Sequence, residues 1–497
     1  MADLAARLAA VPRSLPVVGR LRSHLSDSFS RNAYALMVNT GMNGVLGLAF
    51  WVVAARHYAP ADVGRGSALI SAFTLLSAVI GINVTGTLTR FLPRTGRHTT
   101  RFVLTTYWLS SAIVVALALG FVALVPLWGP SFAGLADPGA AALFVAVVVL
   151  SGIFTVQDGV LVGLRRSVWV PVENTVFGVV KLVLLIALAT VLPGDGVYVS
   201  FVVGMAVVTL PLNVLIYGRL LRKARATAGA GEPPSRAEVR RFLAGDYVGA
   251  LFSFSAAYVV PVIVAAVVLP ETFASFYIVW MVWGSLQLIP INLAQSLTVE
   301  GVYDAGRLVS YTRSALRRAG VILLIAALVL GLGAPVLLGV LGPGYLEATT
   351  LLQLLALTAF PRAVLEVWLG VLRARGRSRA LARVQVASGI AVVGSVTLGL
   401  LLDDGHLGMG LAPITGVGVL VLVSQTAVTL SILPALVRFL RSSRARGGPP
   451  PGRTRLIELT VVRADARETT DRVPPRPASP RGRAPTLPGR VRLRGDR

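Results

Sequence analysis

Apolar residues run along this chain in stretches of about 20, the length that crosses a bilayer's hydrocarbon core as a helix. Gly, Pro and charged residues separate the stretches. The pattern predicts twelve transmembrane helices, over 33–55, 67–89, 103–127, 140–163, 174–192, 197–217, 243–268, 275–299, 319–341, 348–372, 381–402 and 408–434. The expected fold is an all-α polytopic membrane protein. The longest internal connection, 219–242, contains Gly-Ala-Gly-Glu-Pro-Pro and divides the helices into an N-lobe over 33–218 and a C-lobe over 243–437. Residues 1–32 read as a cytoplasmic or interfacial segment without the apolar core and cleavage site of a signal peptide. Residues 438–497 turn to Arg, Pro and Gly, with sixteen Arg and five acids, and read as a disordered cytoplasmic tail.

Lys and Arg mark the side on which loops are retained. The even-numbered gaps are basic, with Arg90, Arg94, Arg97 and Arg101 after span two and Arg373, Arg375, Arg377, Arg379 and Arg383 after span ten. The odd-numbered gaps hold only Arg56 and Arg65 beside seven acids, so both termini are expected in the cytoplasm. The outer connections are short, as in Pro193-Gly-Asp-Gly196, and any chemistry must lie within the helices. The two halves also align at the entries to spans two and eight, where Pro60-Ala-Asp-Val-Gly64 matches Pro270-Glu-Thr-Phe-Ala274 and Arg90 falls opposite Glu300. Such an arrangement suggests parallel repeats.

Composition agrees with a membrane protein: 55% of residues are apolar and 14% charged, against roughly 25% charged in a soluble domain. A net charge of +25 would suggest nucleic acid in a soluble protein. Here the charge belongs to loops and tail, so nucleic acid is not an expected partner. Cysteine is absent, which excludes disulfides and thiolate metal sites, and the four histidines lie in predicted loops or the N-terminal segment. Neither a metal nor a cofactor is expected. No Gly-x4-Gly-Lys-Ser/Thr loop is present, so the chain has no ATPase module, and it is read as a non-enzyme.

A charge at the bilayer centre costs roughly 2.5–3.5 kcal/mol on insertion scales, so the few buried in these spans are informative. They are Asp158, Lys181, Arg362 and Glu366, with Asp246 and Glu300 nearer the inner surface. Asp158 and Lys181 stand at similar depth on helices joined by a short inner turn and are expected to meet. Arg362 and Glu366 share a helix face at i, i+4, just after Pro361. One reading makes these neutralised structural pairs. The other has two mid-depth cations facing a common cavity and holding an anion. Asn39 and Asn43, one turn apart on span one, are candidates for polar contacts in such a cavity, and Asn83, Gln157, Asn213, Gln287 and Asn292 serve either as interhelical bonds or as cavity lining.

Arg56-His-Tyr-Ala-Pro-Ala-Asp-Val-Gly64, Ser67-Ala-Leu-Ile-Ser71 and Arg90-Phe-Leu-Pro93 together resemble the first hairpin of polysaccharide flippases of the multidrug/oligosaccharidyl-lipid/polysaccharide exporter superfamily. Gly163-Leu-Arg-Arg166, Val170-Pro-Val-Glu-Asn174, Lys181-Leu-Val-Leu-Leu185 and the stretch Trp280–Glu300 extend the resemblance over residues 30–435. It implies two six-helix lobes around a central cleft in a bacterial cytoplasmic membrane. The implied activity is transport of polyprenyl-diphosphate-linked oligosaccharide from inner to outer leaflet for cell-surface polysaccharide synthesis, beside a polymerase and glycosyltransferases. Arg90, Lys181 and Arg362 are then candidates for the diphosphate, while Asp158, Glu366, Asp246 and Glu300 would restrain those cations or couple ion movement. A cation-coupled multidrug exporter of the same superfamily and a non-transporting scaffold of envelope assembly are the rival readings.

Overall fold

The computed structural model describes residues 28–227, 229, 231, 234, 235, 237–239, 252, 257–403 and 414–442. Among them there is no strand, and a helix stands at each of the twelve expected positions. They are α1 Ser28–His57, α2 Pro60–Phe91, α3 Thr99–Ala123, α4 Pro138–Gly163, α5 Trp169–Leu188, α6 Gly196–Leu215, α7 Ala257–Val267, α8 Pro270–Tyr303, α9 Leu308–Leu341, α10 Thr349–Ala374, α11 Ser378–Asp403 and α12 Thr415–Arg441. Ten are long and apolar enough to cross a membrane among the described residues. Helix α6 does not stop where the apolar run ends: it passes through a π-helical turn, Ile216–Leu220, and continues as Leu221–Thr227 into the expected linker.

The outer ends of the helices begin abruptly for local reasons. Proline occupies the first helical position of α2, α4 and α8, where its missing N–H has no partner to lose. Ala59 and Leu269, the residues before α2 and α8, are correspondingly extended. Asp137 caps α4, accepting a hydrogen bond from Ala140 N at 2.8 Å.

The halves are built alike. Helix α2 packs most extensively on α4 and α8 on α10, a pairing related by six helices, and α3 with α4 corresponds in the same way to α9 with α10. The α4 end Gly159-Val-Leu161, Arg166-Ser167 has its counterpart at the α10 end in Gly370-Val-Leu372, Arg377-Ser378. Both glycines do the same work. A Cβ on Gly159 would meet Thr85 Cα of α2 at 3.0 Å, and one on Gly370 would meet Ala294 O of α8 at 2.8 Å. Small residues of this kind let helices approach closely where lipid offers no hydrophobic drive to association.

Helices α2 and α8 also join the lobes to each other. A Cβ on Gly64 would collide with Pro270 O, so the two helix starts touch through their backbones. Nearby, Trp51 of α1 meets Tyr277 of α8 edge-on at 4.8 Å, and Arg56 Nε donates to Val340 O. Over these outer turns α8 is buried on every side, from Phe273 to Trp280, whereas from Trp283 inward only the face of Trp283, Gln287, Pro290, Ala294 and Leu297 is covered. The apolar core follows the same course. One cluster runs through the N-lobe and the outer ends of α8, α10 and α12, while the inner end of the C-lobe has its own, around Leu308, Leu365, Trp368 and Leu436. Among the described residues the lobes thus meet at their outer ends, and the inner end of the C-lobe keeps a core of its own.

Candidate functional site

Each lobe carries a polar centre among otherwise apolar helices. In the C-lobe it is built on α10. Arg362 Nη2 lies 3.0 Å from Glu366 Oε1, one turn on, as their spacing predicts. Its Nη1 donates to Ser388 Oγ of α11 at 2.8 Å and to Gln425 Oε1 of α12 at 3.4 Å. Ser388 Oγ and Gln425 Oε1 are themselves 3.2 Å apart. Thr429 of α12 donates to Pro361 O at 2.8 Å, holding the same two helices together. The charge is therefore neutralised by charge-assisted bonds within one face and tied to three helices.

The N-lobe differs. Lys181 of α5 is ringed by Phe50 of α1, Phe177 of α5 and Phe201 of α6, with Nζ at 4.9, 4.7 and 4.5 Å from the ring centroids. Ring faces attract a cation, and more strongly where water is excluded. Among the described residues no carboxylate lies within ion-pair distance of it. The expected Asp158–Lys181 meeting does not form. Asp158 of α4 instead lies within hydrogen-bonding reach of Glu173 of α5. The reason is geometric: α5 presents Glu173 toward α4, whereas Lys181, two turns further along, faces α1 and α6.

Glu173 is buried and belongs to a chain of polar side chains. Tyr107 OH of α3 donates to Asn213 Oδ1 of α6 at 2.9 Å. Asn213 Nδ2 donates to Gln157 Oε1 of α4 at 2.6 Å, and Gln157 Nε2 to Glu173 Oε1 at 3.2 Å. The buried Asp158 Oδ1 and Glu173 Oε2 have no hydrogen-bond partner among the described residues. The arrangement is thus two neighbouring carboxyl groups beside a hydrogen-bonded network that spans four helices.

The remaining candidates stand apart. Arg90, over the Phe91 ring at 5.6 Å, and Glu300 occupy the last turns of α2 and α8, exposed at the inner ends. Asn43 is half-buried on α1, while the side chain of Asn39 and the whole of Asp246 lie outside the described residues. Arg90, Lys181 and Arg362 therefore sit in three separate surroundings and not in one pocket. Glu173 is the residue whose role the sequence reading understated. Its signal was present in Gln157-Asp158 and Glu173, three hydrogen-bonding groups on adjacent apolar helices. No cluster of His, Asp and Glu fit for a metal occurs among the described residues.

No family model matches the chain, and no curated protein matches it in sequence. Solved structures do match its shape. An inward-facing conformation of a multidrug resistance MATE family transporter of the MOP superfamily aligns with a TM-score of 0.62 at 14% identity, covering 82% of this chain and 96% of that one. The outward-facing conformation of such a transporter gives 0.54 at 16% identity, covering 83% and 96%. The eukaryotic MATE transporter AtDTX14 gives 0.50 at 17%, covering 84% and 100%. The chain thus has the all-helical, two-lobed fold of MATE transporters of the MOP superfamily.

Proposed function

We propose that the chain is a transporter working by alternating access, and that it flips polyprenyl-diphosphate-linked oligosaccharide from the inner to the outer leaflet of a bacterial cytoplasmic membrane. The observation that carries this reading is Lys181, an ammonium inside the membrane with aromatic rings around it and, among the described residues, no carboxylate at ion-pair distance. A cation left uncompensated there is costly unless it serves an anion. A diphosphate brings about two negative charges, and the sugars behind it need amides and hydroxyls. Arg90, at the inner end of α2, stands at headgroup level where such a lipid would first be met. Arg362 already holds a carboxylate in the geometry a phosphate oxygen would adopt. Asp158, with the neighbouring Glu173, is the candidate in this reading for coupling ion movement to the cycle. Polymerase and glycosyltransferases are the partners this role requires.

A multidrug exporter is the second reading, favoured by the same carboxyl pair, by the aromatic lining of the N-lobe and by a fold shared with a multidrug resistance transporter. One experiment separates them. Proteoliposomes are loaded with fluorescent undecaprenyl-diphosphate-oligosaccharide, and outer-leaflet appearance is followed under an imposed pH gradient. The flippase reading expects transport by the wild-type chain and at least a tenfold loss in Lys181→Ala. Movement of a lipophilic cationic dye instead, undiminished by Lys181→Ala, would establish the exporter.

A further inference from the structure

On the inner face of the N-lobe, away from both polar centres, a cavity of about 370 Å³ opens between the α2–α3 turn, the α4–α5 turn and the inner extension of α6. Its lining includes Gly96, Thr99, Arg165, Arg166, Leu220 and Lys223, and no acid. Basic residues at inner helix ends follow from topology alone, so the informative comparison is with the equivalent turns of the C-lobe.

There three cations are held, although Arg377, the counterpart of Arg166, makes no side-chain hydrogen bond or ion pair with any described residue. Asp304 pairs with Arg307 at 3.6 Å and accepts from the Gly306 and Arg307 backbone. Arg375 lies over the Phe439 ring at 5.4 Å, and Arg313 donates to Leu440 O at 2.7 Å. In the N-lobe the matching turn reads Arg94-Thr-Gly96-Arg97 against Asp304-Ala-Gly306-Arg307, so the acid has become a base. Arg94 turns outward to Glu238 at 3.8 Å. Arg165 and Arg166 make no side-chain hydrogen bond or ion pair with any described residue.

The backbone adds a second observation. Helix α4 ends with Arg166 N bonding to Leu161 O, and α10 ends in the same way with Arg377 N bonding to Leu372 O. The position before each must be left-handed. In α10 it is Gly376, at φ +63°, the residue such a cap ordinarily uses. In α4 it is Arg165, at φ +59°, the sole non-glycine residue with positive φ among those described. A long cation thus occupies a conformation that disfavours a side chain, and it does so on the wall of a cavity without acids.

We infer that this cavity is a phosphate-binding site, in which Arg165, Arg166 and Lys223 receive the phosphate of a lipid headgroup or of a soluble phosphate ester. Guanidinium groups suit it because their N–H forks match phosphate oxygens. The inference stands whether or not the transport reading holds.

The test uses the full chain, delipidated in neutral detergent. Pyrophosphate is titrated by calorimetry, and retention of phosphatidic acid against phosphatidylcholine is read by native mass spectrometry. Wild type is expected to bind at least one phosphate probe saturably: pyrophosphate assigns a soluble source and phosphatidic acid alone a headgroup. Arg165→Gln with Arg166→Gln should weaken that binding at least tenfold. A control pair on the corresponding C-lobe turn, Arg375→Gln with Arg377→Gln, should leave it within twofold. Arg165→Gly, which relieves the backbone, should weaken binding at least threefold without lowering the melting temperature. The inference is overturned if neither probe binds saturably, or if the Arg165/Arg166 variant binds as tightly as the C-lobe control.

Discussion

The two lobes share a scaffold and differ in what they enclose. Gly159 and Gly370 set the same helix approach, and the α4 and α10 ends close with the same turn. Yet the C-lobe interior holds an arginine bonded to a carboxylate, a serine and an amide, whereas the N-lobe interior holds a lysine among rings and a buried glutamate at the end of an amide network. A duplicated architecture constrains backbone spacing and leaves polar content open. Among the described residues, the intramembrane cation of the C-lobe has a carboxylate beside it and that of the N-lobe has rings instead.

The largest test of that contrast is to break the C-lobe clamp. Arg362→Leu or Glu366→Leu strands a buried charge, and each should cost roughly 3–5 kcal/mol, while the double variant should recover most of the loss. Denaturation in mild detergent measures all three, and a double variant as unstable as the singles would mean the pair is more than self-neutralising. Next, the shared scaffold predicts matched penalties. Gly159→Val and Gly370→Val should each destabilise by about 1–3 kcal/mol through overpacking against α2 and α8. A difference much beyond 1 kcal/mol would show the lobes to be less alike than their backbones.

Smaller effects address the N-lobe pair. Glu173→Leu removes the oxygen that accepts from Gln157 Nε2 and should destabilise by about 1–2 kcal/mol, whereas Glu173→Gln keeps an acceptor there and should cost less. Denaturation in mild detergent measures both, and equal losses would remove the hydrogen bond from the account. The smallest effect concerns the caps. Arg165→Gly should stabilise by up to about 1 kcal/mol and Gly376→Ala should destabilise by about as much, since only one of the two positions now carries the favoured residue.

Helix number and order were legible in the sequence, because a 20-residue apolar run has few alternatives in a membrane. The Arg362–Glu366 pair was legible too, since i, i+4 spacing on one helix fixes proximity. Asp158 and Lys181 show the limit. Depth along two helices could be counted, but rotation about each axis could not, and rotation turned Lys181 toward Phe50 and Phe201 while leaving Glu173 to face Asp158. Ser388 and Gln425 were invisible as partners of Arg362 because they come from α11 and α12, at no fixed sequence distance. The extension of α6 past residue 217 was missed because its basic residues resemble a loop.

That extension has a consequence for how α6 addresses its neighbours. A π turn accommodates one residue more than an α turn, and with 3.6 residues per turn one residue amounts to about 100° of rotation. Everything beyond Ile216–Leu220 is therefore out of phase with the transmembrane part of the same helix. Lys223 and Ala224 reach the inner cavity wall on a bearing that the membrane stripe of Tyr198, Met205 and Leu212 does not share. Helix α6 thus carries two stripes offset about one axis, and removing a single residue from the π turn would leave its membrane seat intact while rotating its inner end away from the turns it now meets.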